Sequence, residues 1–308
     1  MEKYYVGFDI GGTKCAVSLG KGENYNIEIL DRYETPTKSS PYQTFDDLAQ
    51  FVFDWKSRYI IESSGISCGG PLDSKRGIIV CTTNLSKEWY GFDIVSYIQS
   101  RFGLKSKLEN DANACAVVEW KFGAGRGADN VIFMTFGTGL GAGLILNGKL
   151  YSGTNGNAGE IGHIRLENDG PVGFNKAGSA EGFCSGNGIK RLAQIRAKEQ
   201  GVVIESELTT KTIFQRAKQG DEFCLSVVKE SAEKFARVIS ILIDAFNPEV
   251  IVAGGVFMRN YDLFMSIMTP IIQRESLTDA YNVCKIVPAQ IGENIGDYAA
   301  LGIAIMED

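Results

Sequence analysis

Near the start of this chain, a short turn combines glycines with a hydroxyl and a cation in a pattern typical of phosphate-binding loops. Its residues follow Asp9 and are Gly11, Gly12, Thr13 and Lys14. Because the glycines have no Cβ, backbone N–H groups can approach a phosphate closely, while Thr13 and Lys14 add a hydroxyl and a positive charge. Asp9 would repel a phosphate, so its expected partner is the Mg²⁺ that travels with a nucleotide, bound through water.

A second turn of the same type occurs at Gly137, Thr138 and Gly139, within a stretch that continues with more glycines to residue 143. Two such turns facing each other could hold a polyphosphate from both sides. The alternative is that the glycines serve only the turns, and the repetition weakens it. The pattern is not a P-loop, because no G-x-x-x-x-G-K-[ST] occurs, and not a dinucleotide fingerprint, because the glycines join strand to strand.

Polar residues also cluster where a predicted strand gives way to a predicted helix, at Glu109, Asn110, Asp111 and Asn113. Asn110 or Asp111 could cap the helix, but capping needs only one of them. The cluster therefore contains more polar residues than helix capping requires. Asp111 is the best candidate for a general base in the chain.

Two further segments each permit a structural and a functional interpretation. His163, the only histidine, follows Glu160 by three residues in a glycine-rich loop. A lone histidine is more often structural than a ligand, and the neighbouring acid reduces that preference. Gly254 and Gly255 follow a buried strand, where a flat ring such as adenine could lie on the backbone; a plain strand-to-helix turn explains them equally well.

Hydrophobic periodicity predicts the strands and helices that carry these residues. Alternating apolar runs on both sides of each glycine turn predict two β-hairpins, and Asn147-Gly148 extends the second into a three-stranded meander. Buried strands are predicted at 131–136 and 250–253, a last strand at 286–289, and helices at 44–59, 92–102, 112–122, 189–200, 210–219, 222–246 and 297–306. Since three strands recur after residue 130, the sequence predicts an α/β protein with duplicated domains facing a cleft.

Composition narrows the class of protein. The chain has 308 residues, 44% hydrophobic and 22% charged, as expected for about two globular domains. A net charge of −6 without a Lys/Arg-rich block argues against nucleic acid as a partner. No signal peptide or membrane-spanning run is visible, so we expect a cytoplasmic protein with no membrane partner. The seven scattered cysteines are expected to be buried thiols.

The motifs together resemble the ROK family (repressors, open reading frames and sugar kinases), in the superfamily of actin, hexokinase and the heat-shock chaperone ATPases. The resemblance covers essentially the whole chain. Residues 9–14 and 137–143 match the family's phosphate motifs, 109–113 its catalytic segment and 158–163 its sugar-binding segment. It implies two ribonuclease-H-like α/β domains with a ligand cleft between them: a smaller one of residues 1–113 joined by the C-terminal helix 296–308, and a larger one of residues 114–295.

The resemblance also implies an activity, which is ATP-dependent transfer of the γ-phosphoryl group to the 6-hydroxyl of a hexose, with Mg²⁺ as the metal and Asp111 as the base. Glucose is the expected acceptor, and N-acetylmannosamine or N-acetylglucosamine the alternative. A homodimer is expected from the family. The positions matched to sugar binding are Gly70, Asn84, Asn110, Asp111, Glu160, His163 and Glu181. The positions assigned to the nucleotide are Asp9, Gly11, Gly12, Thr13, Lys14, Gly137, Thr138, Gly139, Gly254 and Gly255.

One departure from the family concerns zinc. Members commonly hold a structural Zn²⁺ with three cysteines and the histidine that matches His163. The cysteine positions here are Val172, Phe174 and Ser179. None of these can supply a thiolate, so we expect no zinc site, with apolar packing by Val172 and Phe174 in its place. The orientation of His163, which the metal would fix, is left open.

Two other classes of function are compatible with parts of the pattern. A sugar-sensing transcriptional regulator would carry an N-terminal helix-turn-helix, whereas here the phosphate hairpin begins at Tyr4. A chaperone-like or filament-forming ATPase would not need the 109–113 and 160–163 segments together.

Overall fold

A computed structural model describes residues 2–23, 26–82, 84–204 and 208–306. The first part of the chain builds a five-stranded sheet and its helices. In chain order its elements are β1 (Tyr4–Ile10), β2 (Lys14–Glu23), β3 (Asn26–Pro36), α1 (Pro41–Arg58), β4 (Ile61–Cys68), β5 (Leu72–Asp73), β6 (Ile78–Ile79), β7 (Phe92–Asp93), α2 (Ile94–Phe102), β8 (Ser106–Asn110) and α3 (Asp111–Phe122).

The remaining elements contain a second five-stranded sheet. They are β9 (Val131–Phe136), β10 (Leu140–Leu146), β11 (Lys149–Leu150), β12 (Val172–Gly173), β13 (Lys176–Ala177), α4 (Ala180–Cys184), α5 (Gly186–Gln200), α6 (Thr210–Lys218), α7 (Glu222–Phe246), β14 (Val250–Ala253), α8 (Gly255–Arg259), α9 (Tyr261–Glu275), α10 (Thr278–Val283), β15 (Lys285–Pro288) and α11 (Ile295–Ile305).

The two sheets share one topology. The first has the strand order β3-β2-β1-β4-β8, with an antiparallel meander of β1, β2 and β3 and with β4 and β8 parallel to β1. The second has the order β11-β10-β9-β14-β15, with β10 antiparallel to β11 and with β14 and β15 parallel to β9. The predicted duplication and the α/β fold class are confirmed.

Strand β1 is buried on both faces because helices cover both sides of the first sheet. Val6, Phe8 and Ile10 pack in one core with α1 and α2 residues. The opposite face is covered by α11, which comes very close at Gly7 and Gly65. A Cβ on Gly65 would lie 2.1 Å from the Ala300 carbonyl oxygen. Only glycine permits the sheet and α11 to approach so closely.

In the second part of the chain, the core is rich in phenylalanine. The rings of Phe136, Phe235 and Phe264 lie within 6.2 Å of one another, centroid to centroid. Phe235 belongs to α7, whose amphipathic 25-residue span matches the predicted helix 222–246. The helices α8, α9 and α10 were not predicted. Pro270 lies inside α9, where sequence rules expect a helix to break.

Two compact units divide the chain, one comprising Met1–Gly127, Gly143–Ala158 and Gln290–Asp308 and the other Ala128–Ala142 and Gly159–Ala289. We call them unit 1 and unit 2. The predicted domain boundaries, 1–113 with 296–308 and 114–295, stay a prediction. None of the helices in the described ranges is long and apolar enough to cross a membrane. All seven cysteines are free thiols, and five of them are buried.

Candidate active site

In unit 1, the loops that follow β1, β4 and β8 start at one edge of the sheet. The last residues of these strands, Ile10, Cys68 and Asn110, pair in register across the three strands. Since parallel strands present their carboxyl ends together, the segments that continue from them converge. These segments are the first glycine turn, the loop containing Gly70 and the start of α3 with Asp111. The sheet topology thus gathers three motifs that are far apart in sequence.

The first glycine turn is held by local hydrogen bonds. Gly11 N–H donates to the Lys14 carbonyl at 3.1 Å, and Thr37 Oγ1 donates to the Gly11 carbonyl at 2.6 Å. Gly12 packs on the neighbouring loop so closely that a Cβ would lie 2.5 Å from the Asn84 carbonyl oxygen. The turn therefore requires glycine at this position, and it places a predicted phosphate segment against a predicted sugar residue.

Thr13 and Lys14 are exposed at this turn. Lys14 begins β2, and its Nζ lies 2.9 Å from Glu34 Oε2 on the adjacent strand. Both side chains are solvent-exposed, and exposed ion pairs contribute about 0–1 kcal/mol. A bound phosphate could therefore compete with Glu34 for the ammonium group, so the role of Lys14 stays a prediction.

Asp9 is a half-buried carboxylate at the end of β1. Loss of water around it raises its pKa to about 6, and the negative charges of Asp297 and Asp111 add to this effect. Within the described ranges, no residue donates a hydrogen bond to Asp9, and α11 approaches it so closely that a Cβ on Gly296 would lie 2.4 Å from its Oδ2. A shielded carboxylate without a protein donor fits a hard cation such as Mg²⁺.

Sequence reasoning missed Asp297, the acid next to Asp9. It is buried in the first turn of α11, where Oδ1 accepts from Ser18 Oγ at 3.0 Å and Oδ2 from Arg32 Nε at 2.7 Å. These partners account for a buried charge. The only sequence signal was an acid at the start of the last predicted helix.

Asp111 is the first residue of α3, and Asn110 caps that helix. Asn110 Oδ1 accepts from the N–H groups of Ala112 at 2.9 Å and Asn113 at 3.3 Å. Of the two capping residues that the sequence allowed, the structure selects Asn110. Asp111 is therefore not needed as the cap. It remains open to solvent, and its Oδ1 accepts from Ala112 N–H at 2.8 Å.

Protein atoms around Asp111 remove part of its water, and this desolvation raises its pKa above the ordinary aspartate value. The loop after β4 contributes to this environment. A Cβ on Gly69 would lie 3.8 Å from Asp111 Oδ2, and one on Gly70 would lie 3.2 Å from Asn110 Nδ2. The structure brings Gly70, Asn110 and Asp111 together and adds Gly69, which the sequence analysis had not assigned to the site.

In unit 2, the second glycine turn is anchored at both ends. Gly137 N–H donates to the Gly139 carbonyl at 3.1 Å, and Gly186 N–H, at the start of α5, donates to the Gly137 carbonyl at 2.8 Å. A Cβ on Gly137 would meet no atom within 4 Å. The space beside this turn is open, as phosphate binding would require.

Glu181, predicted to bind sugar, contacts this second turn. Its Oε2 accepts from Leu140 N–H at 3.1 Å and lies 2.8 Å from the position of a Cβ on Gly139. Gly162 packs against the Glu181 side chain, since a Cβ on Gly162 would lie 3.3 Å from Glu181 Cβ. Glu181 thus joins the second glycine turn to the 160–163 segment.

His163 ends a short 3₁₀ turn that begins after Glu160. Its ring meets Phe174 edge to face, with centroids 5.3 Å apart and planes at 73°. The expectation that Val172 and Phe174 form apolar packing in place of zinc is only partly right. Their exposed fractions are 46% and 52%, because the β12–β13 hairpin carries them at the surface. Ser179 is instead buried and caps α4 by accepting from Gly182 N–H at 3.1 Å.

The turn at Gly254 and Gly255 has a structural explanation. Gly255 has φ +59°, and a Cβ on it would lie 2.1 Å from the Phe136 carbonyl oxygen. It therefore serves the turn from β14 into α8. The same turn leads to a cavity of about 370 Å³, within the range of small-molecule sites. Its lining residues are Thr210, Lys211, Phe214, Gln215, Lys218, Val256, Arg259 and Asn260.

Comparison with known proteins identifies the family. The model of the ROK family matches residues 5–307. This chain belongs to the ROK family. The glucokinase of Streptomyces coelicolor is 31% identical to it, over 97% of this chain and 96% of that protein. The xylose repressor of Caldicellulosiruptor bescii is 31% identical, over 90% of this chain and 72% of the repressor.

A solved structure agrees with this membership. The ROK glucokinase of Streptomyces griseus, crystallised with glucose and AMPPNP, superposes with a TM-score of 0.79 at 29% identity, covering 98% of this chain and 99% of that one. The fold and the family resemblance inferred from the motifs are therefore confirmed. The roles of individual residues in this ROK protein remain predictions.

Proposed function

We propose that this chain is an ATP-dependent sugar kinase that phosphorylates the 6-hydroxyl of a hexose, with glucose as the first candidate. The observation that carries the proposal is the placement of Asp111. It is a solvent-accessible carboxylate with a raised pKa, not used as a cap, beside the glycine loop after β4. Similarity to two glucokinases over nearly their whole length supports the same reaction.

In the proposed reaction, Asp111 accepts the proton of the sugar 6-hydroxyl while the hydroxyl oxygen attacks the γ-phosphorus of ATP. The bond between the γ-phosphorus and the β–γ bridging oxygen breaks, and ADP leaves. A base is more effective when its pKa lies nearer the working pH, so the raised pKa of Asp111 assists this step. Asn110 uses its Oδ1 for the helix cap, which leaves its Nδ2, beside Gly70, to donate to a sugar hydroxyl. The cap thereby fixes the donor next to the base.

The nucleotide contacts are assigned to the two glycine turns, whose open N–H groups suit phosphate oxygens. Mg²⁺ near Asp9 would neutralise charge on the phosphates during transfer. The cavity beside Gly255 is proposed to take adenine, with Phe214 and Val256 as its apolar contacts. Glu160, His163 and Glu181 are proposed to select the sugar, because a polar group that loses its water when the sugar binds and is then left unpaired penalises a wrong epimer.

The first test is an assay of ADP release with Mg·ATP and a panel of sugars: glucose, mannose, fructose, allose, N-acetylglucosamine and N-acetylmannosamine. We expect turnover on glucose. In Asp111→Asn, kcat should fall by about 10²- to 10⁴-fold, the usual contribution of a general base, while sugar affinity changes little. Substantial turnover in this variant would exclude Asp111 as the base.

The matched control is Asp93→Asn, at the start of α2, where Asp93 caps a helix by accepting from Ser96 N–H at 3.0 Å. It removes a carboxylate from a comparable strand–helix junction, so kcat should stay unchanged. Turnover on an N-acetylhexosamine alone would reassign the substrate. Sugar binding without turnover on any sugar would favour a sensing role, as the similarity to a xylose repressor allows.

A further inference from the structure

The carboxylate of Glu109 links the two sides of the junction that carries Asn110 and Asp111. Its Oε1 accepts from the backbone N–H of Asn110 at 2.9 Å and from Asn113 Nδ2 at 2.9 Å. Glu109 lies in β8, whereas Asn113 lies in the first turns of α3. One oxygen atom therefore links the end of the strand to the helix. The link spans Asn110, which is assigned to sugar binding, and Asp111, which is assigned to proton transfer.

The Asn113 side chain indicates that this link is not ordinary packing. Asn113 is only 1% exposed, and its Oδ1 has no hydrogen-bond partner in the described part of the chain. Buried amide oxygens are rarely left unpaired. Turning the amide over would place that oxygen against the Glu109 carboxylate, which would repel it. The protein thus keeps an unsatisfied acceptor in order to direct the Asn113 donor at Glu109.

The hydrogen-bond partners of Glu109 favour the charged carboxylate, whose oxygens can accept hydrogen bonds. Burial raises the pKa of the Glu109 carboxyl, and hydrogen bonds from Asn113, from the Asn110 N–H and from Ser74 oppose that rise. Glu109 also lines a cavity of about 820 Å³ in unit 1, together with the 72–77 turn and the 152–156 loop. Since this cavity adjoins the side chain, truncating Glu109 should not leave a closed void in the core.

We propose that Glu109 and Asn113 form a positioning pair that holds Asp111 in the geometry required for proton transfer. The pair fixes the backbone on which Asn110 and Asp111 sit, and it acts through them without touching the substrate. This inference rests on the proposed kinase function. Glu109 and Asn113, the first and last polar residues of the 109–113 segment, would then position Asn110 and Asp111, which are assigned to sugar binding and proton transfer.

The test compares Glu109→Ala with Glu109→Gln. Glutamine keeps an oxygen that can accept both hydrogen bonds, whereas alanine removes the acceptor. We expect kcat of Glu109→Ala to fall by up to about 100-fold, the effect of a small misplacement of a reacting group, with the KM for sugar nearly unchanged. Glu109→Gln should retain nearly full kcat. An equal loss in both variants would show that the charge matters and would overturn the positioning role.

A double-mutant cycle separates the pair from general destabilisation. If Glu109 and Asn113 act as one unit, Glu109→Ala combined with Asn113→Ala should lose no more kcat than the worse single variant. Independent, additive losses would contradict the proposal. Asp93→Ala, which removes the cap of α2, controls for weakening a strand–helix junction elsewhere and should leave kcat intact.

Amide hydrogen exchange tests the pair without relying on turnover. The Ala112 N–H donates to the side chains of both Asn110 and Asp111. Its exchange should accelerate in Glu109→Ala and remain slow in Glu109→Gln. Unchanged exchange in Glu109→Ala would refute the pair even if the enzyme proved inactive on every sugar. A wild-type protein without kinase activity, but with the expected exchange pattern, would instead refute only the proposed function.

Discussion

Among individual residues, Asp9 shows how the surroundings of a carboxylate set its chemistry. It lies on the face of β1 that α11 covers, opposite Val6 and Phe8, and it meets two other acids. Arg32 forms an ion pair with one of them, Asp297, whereas Asp9 has no ion pair within the described residues. We therefore expect Asp9 to receive Mg²⁺ rather than to form an ion pair.

This arrangement predicts a pH dependence of nucleotide binding. The pKa of Asp9 is raised to about 6, so the carboxylate is charged above this pH and protonated below it. Because Mg²⁺ competes with the proton, affinity for Mg·ATP should be full near pH 8 and fall as the pH drops through 6. The measurement is calorimetric titration of Mg·ATP from pH 5 to 8.

The control for this titration is Asp9→Asn, which cannot titrate. It should bind Mg·ATP weakly and with little change across the same range. A wild-type affinity that stays constant down to pH 5 would mean that Asp9 does not contribute to the metal site. Asp111 also has a raised pKa, so binding is a cleaner readout than turnover.

At the scale of secondary structure elements, α11 packs very closely on β1 and β4 in unit 1. Gly7 and Gly65, neighbours in the parallel register, form the floor on which the helix lies. The helix starts beside Asp9 and presents Asp297 to Ser18 and Arg32. Packing of this helix therefore affects both the core and the predicted metal site.

We expect Gly65→Ala to destabilise the protein strongly. The new methyl would lie 2.1 Å from the Ala300 carbonyl oxygen and 2.5 Å from the Ala304 nitrogen, both backbone atoms. Overpacking of this kind costs about 1–3 kcal/mol or more in the free energy of unfolding. Chemical denaturation measures the loss.

Gly302→Ala, on the same helix, is the matched control. Its Cβ would make ordinary contact with Val118 at 3.5 Å, and alanine favours a helix over glycine by about 1 kcal/mol. It should therefore be neutral or stabilising. Similar losses in both variants would show that α11 does not pack on the sheet at Gly65.

For the whole molecule, periodicity predicted most of the architecture. The strands 131–136 and 250–253 and the helix 222–246 match their observed bounds, since each has a continuous apolar pattern and a clear end. Helix α9 escaped prediction because Pro270 interrupts its pattern, and α8 and α10 have only 5 and 6 residues, too few to show a helical period. Local rules read such a proline as a stop, whereas tertiary packing of Phe264 and Ile272 maintains the helix.

The candidate site was predictable in its motifs but not in its contacts. Asn110 and Asp111 could be singled out because capping residues have local signatures, whereas Gly70 was assigned only through the family resemblance. The link of Glu181 to Leu140 and the edge contact of His163 with Phe174 depend on side chains distant in sequence, which no local pattern encodes. Asp297 and Gly69 were missed for the same reason.

The fold as a whole predicts that the ROK protein does not depend on zinc. No thiolate lies at Val172, Phe174 or Ser179, and the Ser179 hydroxyl caps α4. Elemental analysis of protein purified without chelators should show much less than one zinc per chain. Treatment with EDTA, followed by its removal, should leave the melting temperature unchanged. One tightly bound zinc per chain would contradict this prediction.

The covering of the first sheet by α11 has a consequence for the order in which the chain can fold. Four strands of that sheet are synthesised within the first 68 residues and the fifth by residue 110, whereas the helix that closes one of its faces spans Ile295–Ile305. While the ribosome translates the residues between, the groove over Gly7 and Gly65 has no cover. Chains of this size expose apolar surface during synthesis. Here one face of the first sheet stays exposed until α11, near the end of the chain, has been synthesised.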